Sequence, residues 1–449
     1  MTTVDPWYQP VGNGSRRKGM TTAERLQRIV WFIRRQPGDI RQGGWPVARR
    51  KALMLLDVLL AIPFVLAARL LRRVVLIRFG GLPTTAIGHL TLDMELLLCR
   101  NDAGFYSRRL FDMFCVSLPV CNQHLRRMWE RTVHVSRFAR AAERINRWLP
   151  GGRGNRIPFD RSPSDIHGLL VTTPPHLTFT QEERRRGEEA LRRLGIPTGM
   201  PFVCLHARDE AYYEDKPRSQ PYRNRNSDIL TYLPAAEELV RRGYVVVRMG
   251  AAVERPLVTN TPRIIDYASI ARTDFLDIFL GAHCHCYLGD ASGLLHLPII
   301  FRRPLVVANH IPFEYTSTWN PRDLFIPKTF WLRSEGRLMT FREILESGVG
   351  RCRRDQELER VGVTVLDNSP EEIAVLVLEA EARRAGTWKA TEEDEELQRR
   401  FWEIFRTSTT IFASAPWRTH WRIGMEFLRQ HRGLLEPSTA PQPTMVQVS

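Results

Sequence analysis

The residues with most chemistry in them sit where apolar runs stop. In CYLGDASGLLHLPIIF, starting at Cys286, an apolar run ends at Gly289 and Asp290 and passes through Ala291, Ser292 and Gly293 before apolar residues resume. Glycine lets a chain turn sharply off a strand. Ser292 and Gly293 then read as the opening of a helix, whose free N–H groups and positive dipole end suit a phosphate; the same residues also make an ordinary turn with a serine cap. Upstream, FVCLHARDEAYYEDK carries an apolar strand into His206, Arg208, Asp209 and Glu210. Strand alternation places His206 and Arg208 on one face. A guanidinium there holds a diphosphate through two parallel hydrogen bonds, or pairs with a neighbouring acid. Arg248 and Gly250 end YVVVRMG, and Asp266 ends RIID, where a carboxylate would accept from a base or ribose. Polar groups at four successive strand ends, Arg208, Arg248, Asp266 and Asp290 with Ser292, converge on a nucleotide.

The elements that must position them alternate. From Val74, short β-rich runs (VVLIRF, FDMFCVS) are separated by amphipathic helices, and a second series opens at Phe202 with FVCLH, YVVVRMG, RIID, CYLGD and PLVVAN. Such alternation is the signature of parallel, doubly wound sheets, whose ligands bind beyond the carboxyl ends of the strands. The fold class expected is α/β, with two Rossmann-like domains facing across a cleft and an N-terminal helical arm. The expected boundaries are a basic arm over 1–73, an acceptor-side α/β domain over 74–199, a donor-side α/β domain over 200–385, helices over 386–436 and a polar tail over 437–449. Thr180 with Glu183, and Ser369 with Glu372 behind Pro370, read as capping boxes.

Net charge is +16 over 449 residues, and its placement decides its meaning. Residues 1–73 hold 14 Lys and Arg against four acids, so +10 of the charge precedes the main body. No strand interleaves basic and aromatic residues, which disfavours nucleic acid; an arm for an anionic membrane surface fits better. Thr21 and Glu24 open a helix with Leu26, Ile29, Val30 and Ile33 apolar and four arginines opposite. Ala52–Leu71 is long enough to span a bilayer, but Asp57 lies inside it, basic clusters flank both ends and no linker separates it from the strand at Val74. A helix lying in the membrane plane is the preferred reading, beside a span or a buried core helix. Seven scattered cysteines, none in a C-x-x-C, indicate a reducing cytosol, with the protein held at the inner face of the membrane.

VCLHARDEAYYEDK, YRNRNSDILTYLPAAEELVRRGYVVVRMG, IIDYA, DIFLGAHCHCYLGDASGLLHLPIIFRRPLVVANHIP and DLFIPK together resemble a bacterial glycosyltransferase family, over about 74–350 and most strongly over 203–328, with IGHL at Ile87–Leu90 part of the likeness. More distantly, His206-x-Arg208 is similar to the His-x-Arg of GDP-fucose-dependent fucosyltransferases, whose arginine binds the donor diphosphate; Asp209 stands where a second arginine is usual there. The resemblance implies a GT-B-like enzyme with its nucleotide-sugar donor in the C-terminal domain, GDP slightly favoured over UDP, and no obligatory metal or other cofactor. Its acceptor would be lipid-linked or a polysaccharide. Donor-site candidates are His206, Arg208, Arg248, Gly250, Asp266, Gly289, Asp290, Ser292 and Gly293. Glycosyl transfer also needs a base for the acceptor hydroxyl: Asp209 and Glu210 are preferred beside Arg208, with His89 and Glu95 as candidates from the opposite domain. Gly80, Gly81, Gly88, Tyr212, Tyr213, Arg223 and Asn224 would shape the acceptor side. The run AHCHCYLG tempts a metal reading, but alternation sends His283 and His285 one way and Cys284 and Cys286 the other. A nucleotide-sugar epimerase or hydrolase, and a non-enzymatic membrane scaffold, are the rival functions.

Overall fold

The computed structural model describes residues 22–106, 109–159, 165, 167–211, 222–315, 320–408 and 421–437. Its strands, in chain order, are β1 Val75–Leu82, β2 Arg109–Val116, β3 Phe202–His206, β4 Val245–Arg248, β5 Ile264–Ile265, β6 Cys286–Gly289, β7 Leu305–His310, β8 Leu324–Pro327, β9 Thr329–Leu332, β10 Arg337–Leu338, β11 Val363–Leu366 and β12 Arg422–Ile423. The first α/β unit is built on the parallel pair β1–β2, in register from Val75 opposite Arg109 to Leu82 opposite Val116. Single parallel bridges, Phe79 to Arg156 and Phe114 to Val135, widen it on both sides. Helices Gln123–Thr132 and Arg137–Trp148 return the chain, each opened by a side-chain cap: Asn122 accepts from the Leu125 N–H and Ser136 from the Phe138 N–H.

The second unit is a seven-stranded sheet in the order β12-β8-β7-β6-β3-β4-β5, every neighbouring pair parallel. Its central strands are buried nearly end to end. Continuous runs such as FVCLH and LVVAN, rather than alternating ones, are what a parallel sheet covered by helices on both faces requires. The chain runs outward from β3 to β5, then crosses back to lay β6 on the other side of β3. That reversal opens a crevice at the carboxyl ends of β3 and β6, where His206 and Gly289 stand in register. The capping boxes at Thr180 and Ser369 are both formed.

Four expectations are corrected. No helix opens at Ser292; helical geometry is confined to His296–Ile300, five residues. The stretch before it is bent because it is held at both ends: the Asp290 N–H donates to the His206 carbonyl at 3.3 Å, and Gly293 is pressed against the first unit. Gly80 and Gly81 lie inside β1 rather than in a loop; a β-carbon there would come within 3.0 Å of Ile157 or 2.6 Å of Ser117 Oγ. The C-terminal helices are not a separate appendage beyond 385, because β12 pairs with β8 at the sheet edge. Finally, the two units share one continuous apolar core, in which Phe179 stacks on Phe301 and meets Phe279 edge to face, so they are joined along a packed seam and do not merely face each other.

The arm is one long helix, Thr22–Leu70, kinked at Gly44 where φ is 61°. The Thr21 cap and the side chains of the first amphipathic stretch lie outside the described residues, as do Tyr212, Tyr213 and the tail from 438.

The strand-end register yields a stability prediction. A β-carbon on Gly289 would lie 2.1 Å from the His206 carbonyl oxygen, which is backbone and cannot swing aside, and 2.9 Å from the hydroxyl of the buried Tyr287. Gly289→Ala is expected to destabilise the protein by about 2–3 kcal/mol, read as a clear fall in thermal midpoint; an unchanged midpoint would mean that β3 and β6 are not so closely apposed.

Candidate active site

Asp290 organises the crevice. It is 1% exposed, and its Oδ2 accepts both the Arg208 backbone N–H at 2.5 Å and the Ser227 hydroxyl at 2.8 Å. The carboxylate therefore fixes the loop after β3 to the loop after β6. Arg208 is itself buried and donates from Nη1 to the Tyr222 carbonyl at 3.1 Å. His206 Nδ1 lies 3.1 Å from the Met249 carbonyl. Segment 222–227 folds over these strand ends: Arg225 Nη2 donates to the Ala291 carbonyl at 3.0 Å, and the Arg223 and Asn224 N–H groups each donate, at 2.9 Å, to one oxygen of Asp355. Among the described residues, no hydrogen-bond partner reaches either polar atom of the Asn224 carboxamide, and both atoms are buried.

Several candidates are engaged elsewhere. Arg248 is 2% exposed and spends its guanidinium on Asp266, 3.4 Å away, and on the Arg255 carbonyl at 2.7 Å. Asp266 also accepts from the Leu257 N–H at 2.8 Å. This pair shapes the loop after β4, and Gly250 is needed there because a β-carbon would fall 2.7 Å from Val253. The Asp209 carboxylate accepts the Ala211 and Glu254 N–H groups at 3.1 and 2.9 Å. Glu210 is bound to Arg223 at 3.0 Å. Both oxygens of Asp209 hold loop N–H groups, whereas Glu210 is half exposed and engages Arg223 through Oε1. Ser292 is buried beside Asp290, without the helix terminus that would have supplied a dipole.

The first unit brings a histidine–carboxylate pair to the seam. Gly88 meets Gly293 closely enough that a β-carbon on Gly88 would lie 3.3 Å from the Gly293 Cα and 2.7 Å from His296 Nδ1. The next five residues, His89–Asp93, form a wide π-type turn, a geometry found often at functional sites. It aligns His89 Nδ1 with Asp93 Oδ2 at 3.0 Å, leaving the imidazole 52% exposed and the carboxylate 5% exposed. The hydrogen bond to Asp93 raises the His89 pKa above the ordinary histidine value, against burial and the opposing charge of Arg353. Across the seam, burial and then the charges of His89 and Arg225 push His296 down to about 4. His310, at the end of β7, is pushed to about 3 by burial and then by Arg225. The contacts set these groups along the seam: Gly88, next to His89, meets His296 and Gly293, and Arg225 bonds the Ala291 carbonyl of the same turn. Arg225 and Arg353 were not among the expected site residues. Arg225 stands inside the YRNRNSD stretch, but nothing in that run distinguishes it from Arg223, which is largely exposed.

Glu95 is a correction. It is 0% exposed, and its Oε1 accepts from Arg302 Nη2 at 2.7 Å, so it faces the seam and not a substrate. Arg302 also donates to the Thr173 carbonyl from Nε at 3.1 Å and from Nη2 at 2.9 Å, tying the inter-unit connection to both units. Burial would lower the pKa of His176, yet Cys99, Glu95 and Asp102 together push it up to about 10. Glu95, Cys99 and His176 offer ligand atoms within 4.8 Å of one another, a spacing that suits a metal ion; the Arg302 guanidinium already serves as their cation. In AHCHCYLG, His283 Nδ1 donates to the Phe279 carbonyl at 2.8 Å while His285 meets the Tyr244 hydroxyl at 3.1 Å, and Cys284 and Cys286 are buried. A cavity of 690 Å³ opens far from the crevice, at the amino end of β4, lined by Arg242, Tyr244, Glu381 and Trp388 among others.

No family model matches this sequence, and no curated protein matches it. Among solved structures, the fold is similar to a glycosyl transferase family 9 protein of Veillonella parvula, at 12% identity over 56% of this chain and 85% of that one, with a TM-score of 0.35. It is similar to ADP-heptose LPS heptosyltransferase II of E. coli at 13% identity, covering 51% and 84% of the two chains, TM-score 0.31. An iron-containing dodecameric glycosyltransferase of enterotoxigenic E. coli gives 13% identity, 56% and 63% coverage, and a TM-score of 0.29. Likeness at this level decides nothing about activity.

The clamp at Arg302 can be tested by itself. Arg302→Ala would take the guanidinium from the buried Glu95 carboxylate and leave it His176, at 3.1 Å, as its remaining cation, at a cost of up to about 3 kcal/mol. The expected result is a large loss of stability in urea, with the Glu95→Gln, Arg302→Ala double variant recovering part of it. A single variant as stable as the wild type would show that the seam does not need the pair.

Proposed function

We propose that this chain is a glycosyltransferase that moves a sugar from a nucleotide diphosphate donor to an acceptor hydroxyl. The observation that carries the reading is the meeting of the His89–Asp93 pair, from one α/β unit, with Arg225 and the Ala291–Gly293 turn at the switch point of the other. A base on one unit and cations at the strand ends of the next are what transfer between two bound substrates requires.

The roles follow from the hydrogen bonds. Asp93 occupies Nδ1, so the neutral imidazole of His89 presents its lone pair at Nε2. Nε2 takes the proton as the acceptor oxygen bonds to the anomeric carbon. The bond from that carbon to the diphosphate oxygen breaks, and the electron pair leaves with the nucleotide. Arg225 and Arg353 supply the charge that stabilises the departing diphosphate, and the Asn224 carboxamide supplies donor and acceptor atoms for the nucleotide. Arg208 acts as a positioning residue, holding the 222–227 segment in place. His-x-Arg at 206–208 favours a guanosine nucleotide over a uridine one, and the acceptor is lipid-linked or a polysaccharide.

Titration calorimetry with GDP and UDP tests the donor side. Arg225→Ala should weaken binding at least tenfold, while Arg223→Ala, which removes an exposed guanidinium paired with Glu210, should leave it unchanged. Equal affinities in wild type and Arg225→Ala would remove Arg225 from the site. The base is tested by pH. Because Asp93 raises the His89 pKa, the neutral form accumulates only above the usual value of 6.5, and kcat/KM should rise with pH along a limb displaced to the alkaline side. Asp93→Asn should move that limb to lower pH and cut the rate about 100-fold. A limb that stays put in Asp93→Asn is incompatible with His89 as the base.

A further inference from the structure

The long N-terminal helix is amphipathic in a way its sequence conceals, since the most apolar stretch within Gly44–Arg73 has a mean hydropathy of 2.2 and only 17% of it is buried. One face is docked. Ala61, Val65 and Ala68 are buried against Phe79, Met113, Cys115 and the alanines of helix Arg137–Trp148. Arg69 donates to Asn146 Oδ1 at 3.1 Å and to the Pro150 carbonyl at 2.7 Å, and Arg72 to Asn155 Oδ1 at 3.1 Å, locking the helix at its end. Asp57, the residue that spoke most strongly against a membrane, lies 3.5 Å from Arg137 on the docked side.

The opposite face is a stripe at helical spacing: Leu55 (61% exposed), Leu59 (57%), Ile62 (39%), Leu66 (51%) and Leu70 (84%). Met54, Leu56 and Leu60 widen it. Side chains at these intervals lie on one side of an α-helix, here the side away from the docked alanines. Its ends carry Arg49, Arg50 and Lys51 before it and Arg72 and Arg73 after it, with the exposed Trp45 just upstream. Apolar faces of this size on soluble proteins mark interaction sites. A leucine-rich stripe bounded by cations and a tryptophan matches the interior of an anionic leaflet flanked by its headgroups.

We infer that residues 44–73 lie in the plane of an anionic lipid leaflet, with Leu55, Leu59, Ile62, Leu66 and Leu70 entering the acyl region. A span would have to strip Ala61, Val65 and Ala68 from their packing and separate Asp57 from Arg137. The inference does not depend on the transferase reading.

Flotation of the full chain with vesicles of phosphatidylcholine, with and without 30% phosphatidylglycerol (a composition chosen on the basis that about 1 kcal/mol accrues per basic residue near an anionic surface), provides the test. The protein should float with the anionic vesicles and do so at least tenfold less with the neutral ones. Leu59→Glu with Leu66→Glu, both solvent-facing, should abolish flotation while leaving the thermal midpoint and the nucleotide titration unchanged. Equal flotation of that variant, no binding by the wild type, or wild-type protein that resists alkaline carbonate extraction from native membranes as a span does, would each overturn the inference. Loss of vesicle binding with intact nucleotide binding, or the reverse, tells the failure of this inference from that of the proposed activity.

Discussion

A single buried carboxylate holds the candidate site together. Asp290 lies at the end of β6 and takes two donors from the loops after β3, the Arg208 N–H and the Ser227 hydroxyl. Hydrogen bonds to a charged acceptor are roughly twice as strong as neutral ones, and burial makes them more costly to leave unmade. Through Ser227 the carboxylate fixes segment 222–227, and that segment carries Asn224 and Arg225 over the crevice. The residue that looked like a ligand at the sequence level is thus the brace on which the ligand-facing residues depend. Gly289 beside it serves the same end, because only glycine allows the strand ends to approach so closely.

The second constraint is the seam between units. It is closed by two glycines, Gly88 and Gly293, with no room for a side chain between them. It is tied again by Arg302 to Glu95, and by Asp274, whose carboxylate accepts the Gln123 N–H at 2.8 Å while its carbonyl accepts from Asn122 at 2.9 Å. A packed apolar seam with buried ionic ties resists sliding, since tightly packed interfaces are not continuously deformable. The position of His89 relative to Arg225 is therefore set by folding rather than by closure on a substrate.

Much of this was legible in the sequence. Alternating β-rich runs and capped helices gave the parallel sheet and its strand ends, since burial on both faces demands continuous apolar runs and since capping boxes have local chemical signatures. The sequence also marked Gly289 as the place where a strand stops, and β6 ends there. What it hid was the use of each polar group. Arg248 and Asp266, eighteen positions apart, pair across neighbouring strand ends, and Asp209 turns back to cap its own loop. Such pairings depend on which strands become neighbours, and a one-dimensional pattern cannot supply that. The helix expected at Ser292 failed for the same reason: propensity favoured it, but contact with Gly88 from the other unit fixes the backbone in a bend.

The histidines around the crevice show how one site sorts protons. His296 and His310 are enclosed, and burial together with nearby Arg225 holds both uncharged across the physiological range. His89 is the exposed member, and it alone of the three has a carboxylate at its ring nitrogen. A buried neutral imidazole near an arginine adds no competing positive charge, so the field at the strand ends comes from the guanidinium groups. His89, shifted the other way by Asp93, can gain and lose a proton against water within reach of that field. Opposed shifts among neighbouring titratable groups set the rings apart: the enclosed rings pack the seam, and the exposed ring stands in water beside its carboxylate.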